Sequence, residues 1–214
     1  MLRNLMLTIA YDGADFHGWQ EQPELRTVQE VLTTALRRAL RHQIALIGSS
    51  RTDSGVHAAG HVANVYTTHP MSCDNVYRSV GARLPKDLML IYVEEVPLTF
   101  HATRSAISKL YRYRIHNTGS RPCEQQNQRF VYHFWHRLDL DRMREAARAW
   151  IGTHDFTALA STGNVRENNV RKITAIHICR IGPEVQIDVE GEGFLYKQVR
   201  NMVGTLVEIG RGQK

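Results

Sequence analysis

Residues 107–117, ISKLYRYRIHN, put Ile107, Lys109, Tyr111, Tyr113 and Ile115 on one side of an extended chain and Ser108, Leu110, Arg112, Arg114 and His116 on the other. Successive side chains of a strand point to opposite faces, so this two-residue period predicts a strand with one buried side. Further strands are expected over NLMLTIAYDG, HVANVYT, LMLIYVEEV, FVYHFWHRL, VRKITAIHICR and EVQIDVEGEG. Between them lie segments of a different period. After ADFHGWQEQP, whose Gly and Pro end regular structure, Thr27 and Glu30 stand in capping-box relation, and Val28, Val31, Leu32, Ala35, Leu36, Ala39 and Leu40 recur at helical spacing. Arg37, Arg38 and Arg41 sit at the far end of that helix, where they suit its negative pole and leave a basic surface. Helices are also predicted over residues 73–83, from about Asp141 to Ile151, and over FLYKQVRNMVGTLVEIG, where Leu195, Val199, Met202, Val203 and Leu206 share a side. NTGSRPCEQQNQR and GTHDFTALASTGNVREN are read as loops. Strands and helices are interspersed without a strict βαβ rhythm, which is the pattern of an α+β protein. With 214 residues and 43% hydrophobic content the chain can bury a sizeable core, as one domain or as two similar halves meeting near residue 105.

The charge balance narrows the partners. A net charge of +6 comes mostly from arginine, 22 residues against 5 lysines. Guanidinium is a planar fork of donors that pairs phosphate oxygens two at a time and stacks on bases, so a polyanion is expected and nucleic acid leads. Cys73, Cys123 and Cys179 are odd in number and widely spaced, which fits neither a disulfide framework nor a zinc pair and points to a reducing cytoplasm. No signal-peptide pattern opens the chain and no apolar run approaches a membrane span, so no membrane partner is expected.

The chemistry concentrates in SSRTDSGVHAAG, residues 49–60. Gly55 allows a turn that aims Asp53 outward from the end of a strand, and Arg51 beside it would keep the carboxylate ionised and free to act as nucleophile or base. An aspartate before Ser-Gly is also an ordinary turn residue, and an Arg–Asp pair is commonly only a salt bridge. His57 and His61 have i, i+4 spacing, but the surrounding turn and the want of a third ligand argue against zinc, and no metal is expected. Phe16 and Trp19 read as packing residues.

SSRTDSGVHAAGHV resembles the GRTDAGVHA signature of the tRNA pseudouridine synthase A family. YDGADFHGWQEQP followed by TVQEVL, the strand KLYRYRIHN, the HDFTAL segment and FLYKQVRNMVG match that family's blocks in its order. The resemblance implies the pseudouridine synthase fold, two α/β lobes around a mostly antiparallel sheet with a central basic cleft, here an N-terminal lobe of residues 1–105 and a C-terminal lobe of residues 106–214. It implies an isomerase that acts without cofactor on uridines of the tRNA anticodon stem-loop, positions 38 to 40, as a cytoplasmic homodimer. Carried over by position, Asp53 is the catalytic aspartate that breaks the glycosidic bond so that the base can turn and rejoin through carbon 5. Arg51 would contact RNA phosphate, Tyr111 would stack on the target base and help take the carbon 5 proton, and Arg200 would pair with Asp53 and orient it.

Each assignment has a plainer counterpart. Tyr111 and Tyr113 share a face and could both be core, and an arginine such as Arg200 in an apolar helix commonly snorkels to solvent. Ser50 and Ser54 replace the family's glycine and alanine, and Lys197 and Gln198 stand where His-Met is common. The family's last helix and strand are expected to be missing from this chain. Two other functions compete with the isomerase: a tRNA-binding module or chaperone without chemistry, and a glycosidase-like hydrolase. The hydrolase ordinarily needs two carboxylates about the scissile bond, and the motif offers one.

Overall fold

Leu5, Leu7, Ile9 and Tyr11 alternate along the first strand and are all buried, so β1 (Arg3–Tyr11) is laid down by its own two-residue period. A computed structural model of the chain describes residues 1–123, 128–161 and 168–213. Parts of the two expected loops, 124–127 and 162–167, lie outside the described residues. The chain divides into two compact units, Met1–Ala106 and Ile107–Lys214.

In the first unit β1 lies between β3 (Ala58–Thr67) and β4 (Leu88–Val96), and β2 (Leu46–Gly48) pairs with the other edge of β3. All three pairings are antiparallel. Two helices, α1 (Val28–Leu40) and α2 (Cys73–Gly81), complete the core. Val28, Leu32, Ala35, Leu36, Ala39 and Leu40 form the buried stripe of α1, as the spacing predicts. Each buried valine or leucine of this stripe contributes about 1.5–3 kcal/mol. Thr27 caps α1 by accepting from Glu30 N at 3.4 Å, but Glu30 does not reach back. Instead the N–H groups of Val28 and Gln29 donate to the carbonyls of Gly18 and Trp19, so the preceding loop supplies the rest of the cap. At its far end α1 turns off through Arg41 in a left-handed conformation, with Arg37 and Arg38 in the last turn.

The second unit carries a five-stranded sheet in the order β6 (Tyr132–His133), β5 (Lys109–His116), β9 (Glu184–Gly191), β8 (Val170–Ile181), β7 (Gly152–Asp155). Helices α3 (Leu140–Arg148) and α4 (Gln198–Gly210) pack on it. Their contact is close: a Cβ on Gly210 would lie 2.7 Å from Met143 Sδ. The α+β reading holds in both units. On β5 the expected face is correct within the strand, with Ile115 fully buried and Tyr113 against the core, but Ile107 precedes the strand and is 88% exposed.

Three local expectations need correction. FVYHFWHRL yields only two strand residues, which pair in parallel with Ile115 and His116. Aromatic content favours strands only where a partner edge is available, and among the rest of the run only Phe134 and Leu138 are buried. Asn117 holds this run instead, its amide donating to the carbonyls of Phe134 and His136 at 2.8 and 2.7 Å. The expected loop from Gly152 begins with a strand, β7, whose residues are mostly exposed and so carry no alternating signal. The third helix runs Leu140–Arg148, its N-cap Asp139 accepting from Asp141 N and Arg142 N.

Candidate active site

The loop between β2 and β3 holds Asp53, and its shape is dictated by a second loop, residues 12–19, against which it lies. Trp19 N donates to Thr52 O at 3.0 Å, Gly55 N donates to Phe16 O at 3.2 Å, and the Tyr11 hydroxyl meets Thr52 Oγ1 at 2.9 Å. Ser54 Oγ donates to Phe16 O at 3.3 Å, and His57 Nδ1 accepts from Gly13 N at 3.0 Å. Two glycines make this approach possible. A Cβ on Gly13 would stand 2.0 Å from Val56 O, and one on Gly18 would stand 2.7 Å from Thr52 O. Gly18 also has φ +89, a conformation costly for other residues.

Beneath the pair of loops the packing is dense. Phe16 and Trp19 are 2% exposed, as expected of packing residues. Trp19 lies over Gly48, where a Cβ would be 2.6 Å from the indole, and stacks on His61 at 4.0 Å. His57 and His61 therefore serve different neighbours, Gly13 and Trp19 respectively. Arg26 closes the outer side: its guanidinium is 4.0 Å from the Phe16 ring centroid and makes a two-pronged ion pair with Asp87, both bonds 2.8 Å, which raises its pKa further.

At the top of this platform Asp53 is half-buried and Gly55 turns the chain with φ +77, Val56 N donating to Asp53 O. Within its unit the Asp53 carboxylate forms no ion pair with Arg51, which corrects the expectation that Arg51 holds it. The two side chains are two residues apart on a turning chain, and Arg51 is exposed. Arg51 is thereby left available to an external anion.

The second unit gathers the other three motif blocks. Tyr111, half-buried on β5 opposite Val189, meets Phe194 edge to face, ring centroids 5.1 Å apart and planes at 85°. The turn at residues 157–161 docks on the start of α4, where the Asn201 amide donates to Leu159 O at 2.9 Å and Ser161 N donates to Tyr196 O at 3.2 Å. Arg200 stands in the first turn of α4, exposed rather than buried among the apolar residues around it. No acidic residue stands in that turn, and Lys197 precedes it in a left-handed conformation. Cations are disfavoured at a helix N-terminus, so Arg200 in that turn suits an incoming anion.

The five motif blocks thus reduce to two docked clusters, 11–19 with 49–57, and 109–116 with 154–161 and 194–204. The sequence pattern of the tRNA pseudouridine synthase family matches residues 7–104 and 146–214, which include the first cluster and the 154–161 and 194–204 parts of the second, while the 109–116 strand lies between the two matched ranges. tRNA pseudouridine synthase A 2 of Clostridium perfringens is 41% identical over 213 residues, covering 100% of this chain and 86% of that protein. The chain belongs to the tRNA pseudouridine synthase family. tRNA pseudouridine synthase A of Acetivibrio thermocellus is 41% identical over 212 residues, covering 99% of this chain and 86% of that protein. A third relative, tRNA pseudouridine synthase A of Clostridium acetobutylicum, is 39% identical over 209 residues, 98% of this chain and 85% of that protein.

For a tRNA pseudouridine synthase of this sequence, several supporting residues escape a reading of motifs alone. Tyr11, Gly13 and Gly18 shape the aspartate loop, while Phe194 and Asn201 brace Tyr111 and the start of α4. Their only signal in the sequence is membership of the same motif blocks. Among the described residues no helix is long and apolar enough to cross a membrane, and no group of three His, Cys, Asp or Glu is placed to hold a metal ion.

Proposed function

We propose that this tRNA pseudouridine synthase isomerises uridines of the anticodon stem-loop, positions 38 to 40, with Asp53 as the catalytic residue. The observation that carries the reading is the platform under Asp53: two loops locked by main-chain bonds, with the carboxylate at the top and no guanidinium of its own motif neutralising it. A uridine in a stem is stacked and paired, so it has to be turned out before its sugar can meet a carboxylate. Asp53 then assists cleavage of the bond between ribose carbon 1 and base nitrogen 1. The base turns, carbon 5 bonds to the ribose, the carbon 5 proton leaves and nitrogen 1 gains one, so the reaction is balanced without redox or hydrolysis.

Tyr111 supports the extruded base and assists removal of the carbon 5 proton. In support, its ring is fixed edge-on by Phe194 and only half-buried, which leaves surface for stacking. Arg200 pairs with Asp53 in the complex, a role supported by its exposure and by the absence of an acid in its own helical turn. Arg51 binds phosphate. The protein works as a homodimer in the cytoplasm, which light scattering of the purified protein tests for oligomeric state.

The direct test is release of tritium from carbon-5-labelled uridine in tRNA. Wild type releases label, and Asp53→Asn releases none while binding tRNA with near wild-type affinity. Full turnover by Asp53→Asn would overturn the assignment, and tight, salt-sensitive tRNA binding by a wild type that releases no label would favour a binding module instead.

A further inference from the structure

Two asparagines with no exposed surface, Asn4 on β1 and Asn64 on β3, are spent on fixing a surface segment beside the aspartate loop. Burying an unpartnered amide costs several kcal/mol, and here the polar atoms are matched. Asn64 Nδ2 donates to Asn4 Oδ1 at 2.9 Å, and Asn4 Nδ2 donates to the carbonyls of Pro97 and Phe100 at 3.1 and 2.9 Å. Asn64 Oδ1 accepts from Ala102 N at 2.9 Å. The chain leaving β4 is thus pinned through the backbone of Pro97, Phe100 and Ala102, and Ala102 is itself buried.

Beyond Ala102 the chain makes a tight turn. Ser105 N donates to His101 O at 2.8 Å, and Ser105 Oγ accepts from His101 N at 3.1 Å. Inside the turn Thr103 Oγ1 donates to Gly48 O at 2.7 Å, which ties the segment to the last residue of β2, the strand that runs into the Asp53 loop. Arg104, the next residue, is exposed, and among the described residues it meets no carboxylate. Other arginines are differently placed: Arg3, Arg26, Arg112 and Arg114 are each held by an acid at 2.7–2.8 Å. Arg51 is three residues from Gly48, a reach of at most about 11 Å of extended chain. Arg104 and Arg51, both exposed, therefore belong to two chain segments that meet at the end of β2, one through the Thr103 tether and one through the chain itself.

We propose that Arg104, held by Thr103 and the Asn4–Asn64 pair, is a phosphate-binding residue for the RNA strand that carries the target uridine, acting together with Arg51. This rests on the uridine isomerase reading and adds to it a second contact on the same strand. Such contacts set register and orientation and carry no base sequence. A surface loop is ordinarily mobile, and pinning this one with buried amides lowers the ordering cost of gripping a backbone.

Arg104→Ala is expected to raise KM for tRNA about tenfold with kcat unchanged, and to lower the slope of log K against log salt by about one. Thr103→Val keeps the charge but cuts the tether, and weakens tRNA binding in the same direction by a smaller factor. Arg104→Glu binding tRNA like wild type across the salt range overturns the proposal, as does a fall in kcat with affinity unchanged. Thr103→Val with wild-type affinity overturns the role given to the tether. Tritium release by wild type, run alongside, separates the claims: loss of affinity in Arg104→Ala with no wild-type release keeps the phosphate contact and removes the isomerase reading.

Discussion

Replacing Gly18 by alanine tests whether the contact between the two loops sets the position of Asp53. The added Cβ would stand 2.7 Å from Thr52 O and 3.2 Å from both Asp53 C and Ser54 N, where ordinary contact begins at 3.4 Å. All three neighbours are backbone atoms, so no side-chain rotation relieves the overlap. At φ +89 an L-residue also carries strain of about 1–2 kcal/mol, and overpacking adds about 1–3 kcal/mol. The least costly response is for Thr52–Ser54 to move away by several tenths of an ångström, which weakens the 3.0 Å bond from Trp19 N to Thr52 O. Misplacement of a reacting group by about 1 Å can cost 100-fold in rate, so kcat is expected to fall by roughly tenfold to 100-fold while KM for tRNA changes little. The assay is tritium release at saturating tRNA. Gly60→Ala is the matched control, because a Cβ there meets nothing within 4 Å. Gly18→Ala with wild-type kcat would refute the reasoning that the 12–19 loop positions the aspartate.

Tyr11→Phe removes the 2.9 Å bond to Thr52 Oγ1 and is expected to cost about 1 kcal/mol of stability, read by denaturant unfolding, with a several-fold lower kcat. Phe194→Ala removes the edge-on partner of Tyr111, worth about 0.5–1.5 kcal/mol, and is expected to lower kcat while leaving the salt dependence of tRNA binding unchanged. Asp155 accepts from the Thr157 hydroxyl and N–H, and these bonds hold its carboxyl below the ordinary value. A carboxyl lowered on folding stabilises the fold above its unfolded pKa and loses that contribution as pH falls through the folded value. An NMR titration should therefore place Asp155 below a free aspartate, and Thr157→Val should move it upward.

The parts of the fold that declare themselves through periodicity were legible. The α1 stripe from Val28 to Leu40 and the buried face of β5 follow from spacing because a core face must repeat with the period of its element. β7 was not legible, since an exposed edge strand of four residues is made by its partner β8 and not by its own pattern. Reciprocal capping by Glu30 was not legible either: its carboxylate accepts from the Thr34 hydroxyl, and the carbonyls of Gly18 and Trp19 take the N–H groups of Val28 and Gln29. For the site, residue types indicated Asp53, but not what holds it. Arg51 is only two residues away in sequence yet is exposed and forms no ion pair with Asp53, whereas Gly13 and Gly18, some forty residues away, determine the loop through close approach. Proximity along the chain is a weak guide to ion pairing where the backbone turns.

Every role proposed for the site depends on the Asp53 carboxylate performing the isomerisation in the anticodon stem-loop. Mapping pseudouridine in unmodified tRNA after incubation with wild type and with Asp53→Ala measures chemistry and position together. Wild type is predicted to install pseudouridine at positions 38 to 40 and Asp53→Ala to install none while still binding tRNA. Pseudouridine formed by Asp53→Ala at the wild-type rate, or formed by wild type only outside the anticodon stem-loop, would contradict it.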